Sequence, residues 1–228
     1  MYVGVDIGGT KTLVAVLNEH GAISEQSKFP TLKDYDSFLL ELRRAKAGFK
    51  HQEYKAGALG MPVTTFDRKH GRGINFSNLP WRNVPVQADA EHIFDCPVAI
   101  ENDAKLAALS EAMLLKDKYH SVLYVTVSTG IGIGLVVDGV IDDNIGDGGG
   151  RTILLEHKAQ LTPWEDFAGG RAIVKRFGKM ARDITDQATW QTISRNLAEG
   201  LIELIAIIEP EVIVIGGSVG VYFDRYQE

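Results

Sequence analysis

One pattern occurs twice in this chain and restricts its fold more than any other feature. Tyr2 to Ile23 reads YVGVDIGGTKTLVAVLNEHGAI, and Leu123 to Ile141 reads LYVTVSTGIGIGLVVDGVI. Each copy is an apolar run, a small glycine-rich turn, a second apolar run, and another turn before an aliphatic residue. The runs are short and rich in β-branched residues, which pack well on a pleated surface, so strands are expected rather than helices. Two copies set far apart predict two related lobes; a solenoid would repeat over much shorter periods.

Helical and strand-like segments alternate around the copies. Asp34 to Ala47 reads as a helix with Phe38, Leu39 and Leu42 on one face. Ala56 to Met61 and Pro97 to Ile100 read as strands. Asp103 to Leu115 reads as a helix with Leu106, Leu109, Ala112 and Met113 facing in. Trp164 to Arg182 and Trp190 to Ile208 are expected to be helices, Pro210 a stop, and Val212 to Ile215 a strand ending at Gly216-Gly217. Strands interleaved with helices define an α/β class. Phe66 to Pro85 has no clear period and is rich in Gly, Asn and Pro, so it is expected to be a long loop, and long loops in compact domains are often functional.

Composition narrows the function. Apolar residues make up 45% and charged residues 24%, an ordinary globular balance. The net charge of -6 gives no basic field for nucleic acid or an anionic membrane, so neither partner is expected. A polyanionic ligand would need local donors. The single cysteine, Cys96, allows no disulfide within the chain and no multi-thiolate zinc site. That suits a reducing compartment. The sequence begins directly on a strand, with no basic stretch leading into a long apolar one, so no signal peptide is expected, and no apolar run is long enough for a membrane span. A cytoplasmic location is the expectation.

The turns are where chemistry is expected. Asp6-Ile7-Gly8-Gly9-Thr10-Lys11 joins two strands. Paired glycines let the backbone come close to a ligand and aim amides at an anion. Thr10 adds a hydroxyl and Lys11 a charge; Asp6 could hold Mg2+ directly or through water. Alone, this turn also reads as an ordinary hairpin. The second turn is Ser128-Thr129-Gly130-Ile131-Gly132-Ile133-Gly134. Neither turn has the spacing of a Walker A loop, and neither leads into a helix as a dinucleotide fingerprint does. At matching places in two lobes, they read together as holders of a polyphosphate.

These residues resemble the ROK family of sugar kinases and sugar-responsive repressors along nearly the whole chain. Asp6 to Lys11 is similar to its first phosphate motif, Ser128 to Gly134 to its second, and Glu101-Asn102-Asp103-Ala104 to its catalytic segment. Asn78-Leu79-Pro80-Trp81 is similar to its sugar-side loop, and PEVIVIGGS, Pro210 to Ser218, to its adenosine-side turn. The resemblance implies a duplicated actin-like ATPase fold, related to ribonuclease H. Two lobes, residues 1–101 and 102–228, would flank a central cleft. It implies Asp103 as general base and Asn78, Asn102 and Glu165 as sugar ligands. Gly8, Gly9, Thr10, Lys11, Thr129, Gly130 and Gly132 would hold phosphate, and Gly216 and Gly217 would approach adenosine. Without the flanking motifs, Asn102 and Asp103 read first as helix caps, and Glu165 reads equally as a solvated first-turn residue.

Three departures accompany the resemblance. Where the family has Glu-x-Gly-His, this chain has Gly148 at the Glu position and Arg151 at the His position, with Asp147 beside them and Glu156-His157 at the wrong spacing. Loss of that carboxylate is expected to weaken sugar binding or change which sugar fits. The family's cysteine-rich zinc loop is absent before Trp164, so no zinc is expected. The sequence ends at Glu228, where the family continues through further helices, so the C-terminal lobe reads as truncated.

The implied activity is transfer of a phosphoryl group from Mg-ATP to a hexose hydroxyl, with glucose as the default acceptor. Three rivals remain: a repressor, which would carry a helix-turn-helix ahead of the first hairpin; a catalytically impaired sugar or nucleotide sensor; and an actin-like structural ATPase, where Glu101-Asn102-Asp103 would have no purpose. A homodimer is compatible with all of these.

Overall fold

The computed structural model describes residues 1–226, so Gln227 and Glu228, the end of the expected C-terminal lobe, lie outside the described residues. The chain divides into two compact units, with the division between Asp103 and Ala104.

The first unit opens with β1 (Tyr2–Ile7), β2 (Lys11–Leu17) and β3 (Ile23–Pro30), followed by α1 (Tyr35–Ala47) and β4 (Ala56–Met61). Next come β5 (Val63–Asp67), β6 (Arg72–Phe76), β7 (Arg82–Val84), α2 (Val86–Phe94) and β8 (Val98–Asn102). The main sheet has the order β3-β2-β1-β4-β8, with β1–β2–β3 antiparallel and β4 and β8 parallel to β1. Strict alternation sets the register of β1. Val3, Val5 and Ile7 are buried while Tyr2 and Asp6 face solvent, so the carboxylate lies on the side away from the core. On the core side, α1 buries Phe38, Leu39, Leu42 and Ala45. Its start is fixed by Asp34, whose carboxylate accepts from Ser37 N–H at 2.8 Å.

The expected long loop from Phe66 to Pro85 is corrected by the structure: β5, β6 and β7 form a three-stranded antiparallel sheet. Its strands are short, and the pairing of β5 with β6 shifts register on both sides of Thr65, which breaks the period-two pattern that would mark it. After β6 the chain is anchored by Leu79 and Trp81, each 3% exposed. The Trp81 ring meets Phe38, Tyr35 and Phe76 at 4.7, 5.1 and 5.5 Å between centroids, and its Nε1–H donates to Lys33 O.

Helix α3 (Asp103–Leu115) begins on the last residue of the first unit. The second unit continues with β9 (Ser121–Val127), β10 (Ile131–Val137), β11 (Val140–Ile141), β12 (Leu154–His157) and β13 (Gln160–Pro163). It ends with α4 (Trp164–Ala168), α5 (Gly170–Phe177), α6 (Gln187–Ile208), β14 (Val212–Gly216) and α7 (Gly217–Gly220). Its sheet runs β11-β10-β9-β14, with β14 parallel to β9 and the others antiparallel. That is the first unit's order over its first four places: a hairpin with a third strand beyond it, and a parallel strand on the other flank. The duplication read from the two glycine-rich turns is therefore a duplication of topology.

Two helical expectations are corrected. Trp164 to Arg182 is not one helix. The chain turns extended at Gly169 (φ -71, ψ 162), separating α4 from α5, and a short 3-10 turn follows at Ala181–Asp183. On α3, only Ala112 of the four residues expected to face in is buried; Ala104, Lys105 and Ala108 share its face, and Met113 is 46% exposed. The cause is close packing on β10. A Cβ at Gly132 would lie 2.7 Å from Ala104 Cβ, and one at Gly134 2.6 Å from Ala108 Cβ, so small residues face small residues. The core of this unit is built on Trp164 and Trp190, whose indole N–H groups donate to Asn196 O and Ile184 O. Among the described residues no helix is long and apolar enough to cross a membrane.

Candidate functional site

Both glycine-rich turns have the same polarity. In the first, Gly8 O accepts from Thr31 Oγ1 (2.8 Å), Gly9 O from Lys33 Nζ (3.2 Å), Thr10 O from Thr31 N–H (3.0 Å), and Lys11 O from Gly8 N–H (3.0 Å). The carbonyls are thus turned into the protein, while the amides of Gly9 and Thr10 donate to no group among the described residues. Thr31 is itself fixed by a 2.9 Å hydrogen bond to the buried Thr12 hydroxyl. In the second turn, Ser128 O accepts from Gly170 N–H (2.7 Å), Thr129 O from Arg171 N–H (2.9 Å), and Gly130 O from Ser128 N–H (2.9 Å). The first amides of α5 are therefore spent on holding the turn. The amides of Thr129 and Gly130 have no acceptor among the described residues. Two consecutive unclaimed N–H groups on a fixed backbone form an anion seat.

Asp6 stands at the foot of the first turn. Surrounding protein pushes its carboxyl above the usual carboxylate range, although its side chain remains open to solvent, and Lys28 pulls the other way. No group of three or more His, Cys, Asp or Glu that could enclose a metal occurs among the described residues. A carboxylate open to solvent fits Mg2+, which keeps several waters and is commonly held by one or two carboxylates together with substrate phosphates.

Asn78 sits directly against the first turn: a Cβ at Gly9 would lie 2.8 Å from Asn78 Cβ. Lys33 Nζ joins the two, donating to Gly9 O and to Asn78 O at 2.9 Å. At the other end of the unit, Asn102 closes β8 and is 6% exposed, with its side-chain amide donating to Val63 O at 2.8 Å. Asp103 opens α3 and is exposed. Glu101 accepts from Arg68 at 2.9 Å and from Asn102 N–H at 2.7 Å, which stiffens the strand end that delivers both residues.

In the second unit, a cavity of about 580 Å³ opens beside the second turn, within the range of small-molecule sites. Ser128, Thr129 and Arg171 line one side, Ser218 and Val219 another, and Val174, Met180 and Tyr222 provide apolar walls. Ser218 N–H donates to Ser128 Oγ at 3.1 Å, so the phosphate turn and the Gly216-Gly217 turn are tied together. Gly217 has φ 87, and a Cβ there would lie 2.5 Å from Val127 O. Gly132 lies within β10, where its lack of a side chain serves the packing of α3. Glu165 reaches the turn through Oε2, which accepts from Ile131 N–H at 3.1 Å, while Oε1 accepts from Arg151 Nε (3.2 Å) and Nη2 (3.0 Å). Asp147 is held by the fully buried Lys105 at 3.0 Å.

Reading the sequence did not single out Thr31, Lys33, Lys105 or the Ser128–Ser218 tie. Each acts on backbone or on a residue distant in sequence, and no local spacing marks it. Arg151 was visible only as a departure.

A five-stranded β3-β2-β1-β4-β8 sheet, a second sheet repeating its first four places, and an anion seat at each hairpin define the actin-like ATPase class, in the form taken by sugar kinases. The chain belongs to the ROK family: the family model matches residues 2–227. It is 30% identical to a putative fructokinase of Bacillus subtilis over 95% of this chain and 76% of that protein. It is 26% identical to a glucokinase of Pyrobaculum calidifontis over 96% of this chain and 79% of that protein. In fold it is similar to a ROK family glucokinase of Streptomyces griseus solved with glucose and AMPPNP: TM-score 0.79, 21% identity, 99% of this chain and 87% of the other. A ROK hexokinase of Thermus thermophilus gives a TM-score of 0.73 and 27% identity, over 99% of this chain and 86% of that one.

Proposed function

We propose that this chain, a sugar kinase by family, transfers the γ-phosphoryl group of ATP to a hydroxyl of a hexose. Glucose is the first candidate, and fructose stands beside it because relatives named for each are similar to this chain to a comparable degree. The observation that carries the reading is the shared polarity of the two turns, whose carbonyls are bound inward while consecutive amides remain for phosphate oxygens.

In this reading Gly8, Gly9, Thr10 and Lys11, with Thr129, Gly130 and the neighbouring Gly132, serve the phosphates. The cavity beside Gly216 and Gly217 takes the adenosine. Asn78, Asn102 and Glu165 orient the sugar. The Asp103 carboxylate accepts the proton of the attacking hydroxyl as its oxygen bonds to the γ-phosphorus and the bond to the β-phosphate oxygen breaks, releasing ADP. Mg2+ held by Asp6 would offset charge on the phosphates. The reaction is assigned to the cytoplasm, without nucleic acid or membrane partner, and a homodimer is compatible with it.

A coupled assay with ATP and a panel of hexoses tests the reading. Sugar-dependent ADP release, lost in Asp103→Ala with the circular dichroism spectrum unchanged, is the expected result. ADP release equal with and without every sugar would remove it. A second reading, a sugar or nucleotide sensor without turnover, draws on the engagement of Asp147 by Lys105 and of Glu165 by Arg151. It predicts hexose binding with no sugar-dependent ADP.

A further inference from the structure

The segment from Gly146 to Arg151 lies flat on β10. Gly149 has φ 54, and a Cβ there would sit 2.2 Å from Ile131 O. At Gly150 a Cβ would sit 2.8 Å from Ile131 Cβ, and at Gly148 2.2 Å from the Thr152 side chain. The backbone leaves no room for side chains at 149 and 150, and Asp147 is drawn to Lys105. Arg151 is different. Its side chain is 43% exposed. A guanidinium has five N–H donors and no acceptor. Two are spent on Glu165 Oε1, and the others meet no acceptor among the described residues.

We propose that Arg151 sets sugar recognition in this chain, fixing Glu165 through one carboxylate oxygen and offering its remaining N–H groups to sugar oxygens. This rests on the reading of Glu165 as a sugar ligand. Glu165 cannot turn freely towards a ligand, because its second oxygen is bound to Ile131 N–H. Recognition is therefore shared by a carboxylate of set orientation and a fork of donors. The two charges offset each other, so the pair suits a neutral hexose rather than a sugar acid. A lysine would bring a point charge and lose the planar fork.

Calorimetric titration of glucose and of fructose into the wild type, Arg151→Met and Arg151→Lys tests the proposal, with AMPPNP titrated in parallel. Losing charge-assisted hydrogen bonds is expected to weaken hexose binding by Arg151→Met at least about tenfold. AMPPNP binding should stay within about twofold, because Ile131 still holds Glu165. Arg151→Lys should recover part of the loss. Unchanged hexose binding in Arg151→Met would overturn the proposal. So would equal losses of hexose and AMPPNP, which would mark a merely structural role, or a wild type that binds neither sugar. A wild type that binds hexose through Arg151 yet shows no sugar-dependent ADP release would sink phosphoryl transfer and uphold this assignment.

Discussion

Ser218 N–H donates to Ser128 Oγ at 3.1 Å, joining two turns that lie 90 residues apart in the chain. One hydroxyl thereby ties the turn proposed for phosphate to the turn proposed for adenosine. Ser128→Ala removes that tie and leaves the backbone bonds to Gly170 and Arg171 in place. A lost hydrogen bond of this kind is worth about 1 kcal/mol. The KM for ATP is expected to rise about fivefold with the hexose KM unchanged, as measured by steady-state kinetics.

Lys33 makes the corresponding connection in the first unit, holding Gly9 O and Asn78 O together. Lys33→Met is expected to raise the KM for ATP and for hexose together, each by about three- to tenfold, because turn and sugar loop lose a common anchor. Steady-state kinetics with each substrate varied in turn checks this. A change in the hexose KM alone would show that the turn does not depend on this lysine.

Gly200 lies on α6 against the Trp164 ring, and a Cβ there would approach ring atoms to 2.2 Å. Alanine improves helix propensity by about 1 kcal/mol. Trp164 is fully buried, however, with its indole N–H committed to Asn196 O, so it cannot step aside. Overpacking is the larger effect, and Gly200→Ala is expected to lose about 1–3 kcal/mol of stability in urea denaturation.

The Glu25 carboxyl is held below its ordinary value of 4.5 by the Lys50 N–H and by the His51 side chain and N–H. The folded value is the lower one, so the stabilisation is present above 4.5 and is lost as pH falls through the folded value. Glu25→Gln should therefore melt below the wild type near neutral pH, and the gap should close as the solution is acidified through the folded value. Thermal melts at a series of pH values read this directly; a gap that stays constant would rule out the carboxylate as its source.

The duplicated core was legible because its signals are local. β-branched strands flank Gly8-Gly9 and Gly130, and Asp34 marks the start of α1. The sheet of β5 to β7 was hidden because its strands are short, carry Arg72, Asn75 and Asn83, and slip register at Thr65. The inward face of α3 was misjudged because apolar residues run all round that helix; the choice is made by Gly132 and Gly134 on the strand it meets. The residue at the break between α4 and α5 is a glycine because a Cβ at 169 would lie 2.7 Å from Glu165 O and 3.3 Å from Gly130 Cα and Thr129 O. The site residues were nameable from resemblance, but the ties that orient them run through main-chain groups and through side chains distant in sequence, which no local pattern encodes.

The flattened stretch before Arg151 also bears on how this protein can change. At Gly149 a carbonyl oxygen occupies the place of a first side-chain atom, and the backbone there is left-handed. At Gly148, where the family has its glutamate, φ is -82, and a Cβ would approach the Thr152 side chain to 2.2 Å, so an acidic residue there has to displace that side chain. Arg151 leaves the same loop with its side chain 43% exposed, so an exchange there needs no movement of the backbone packed on β10.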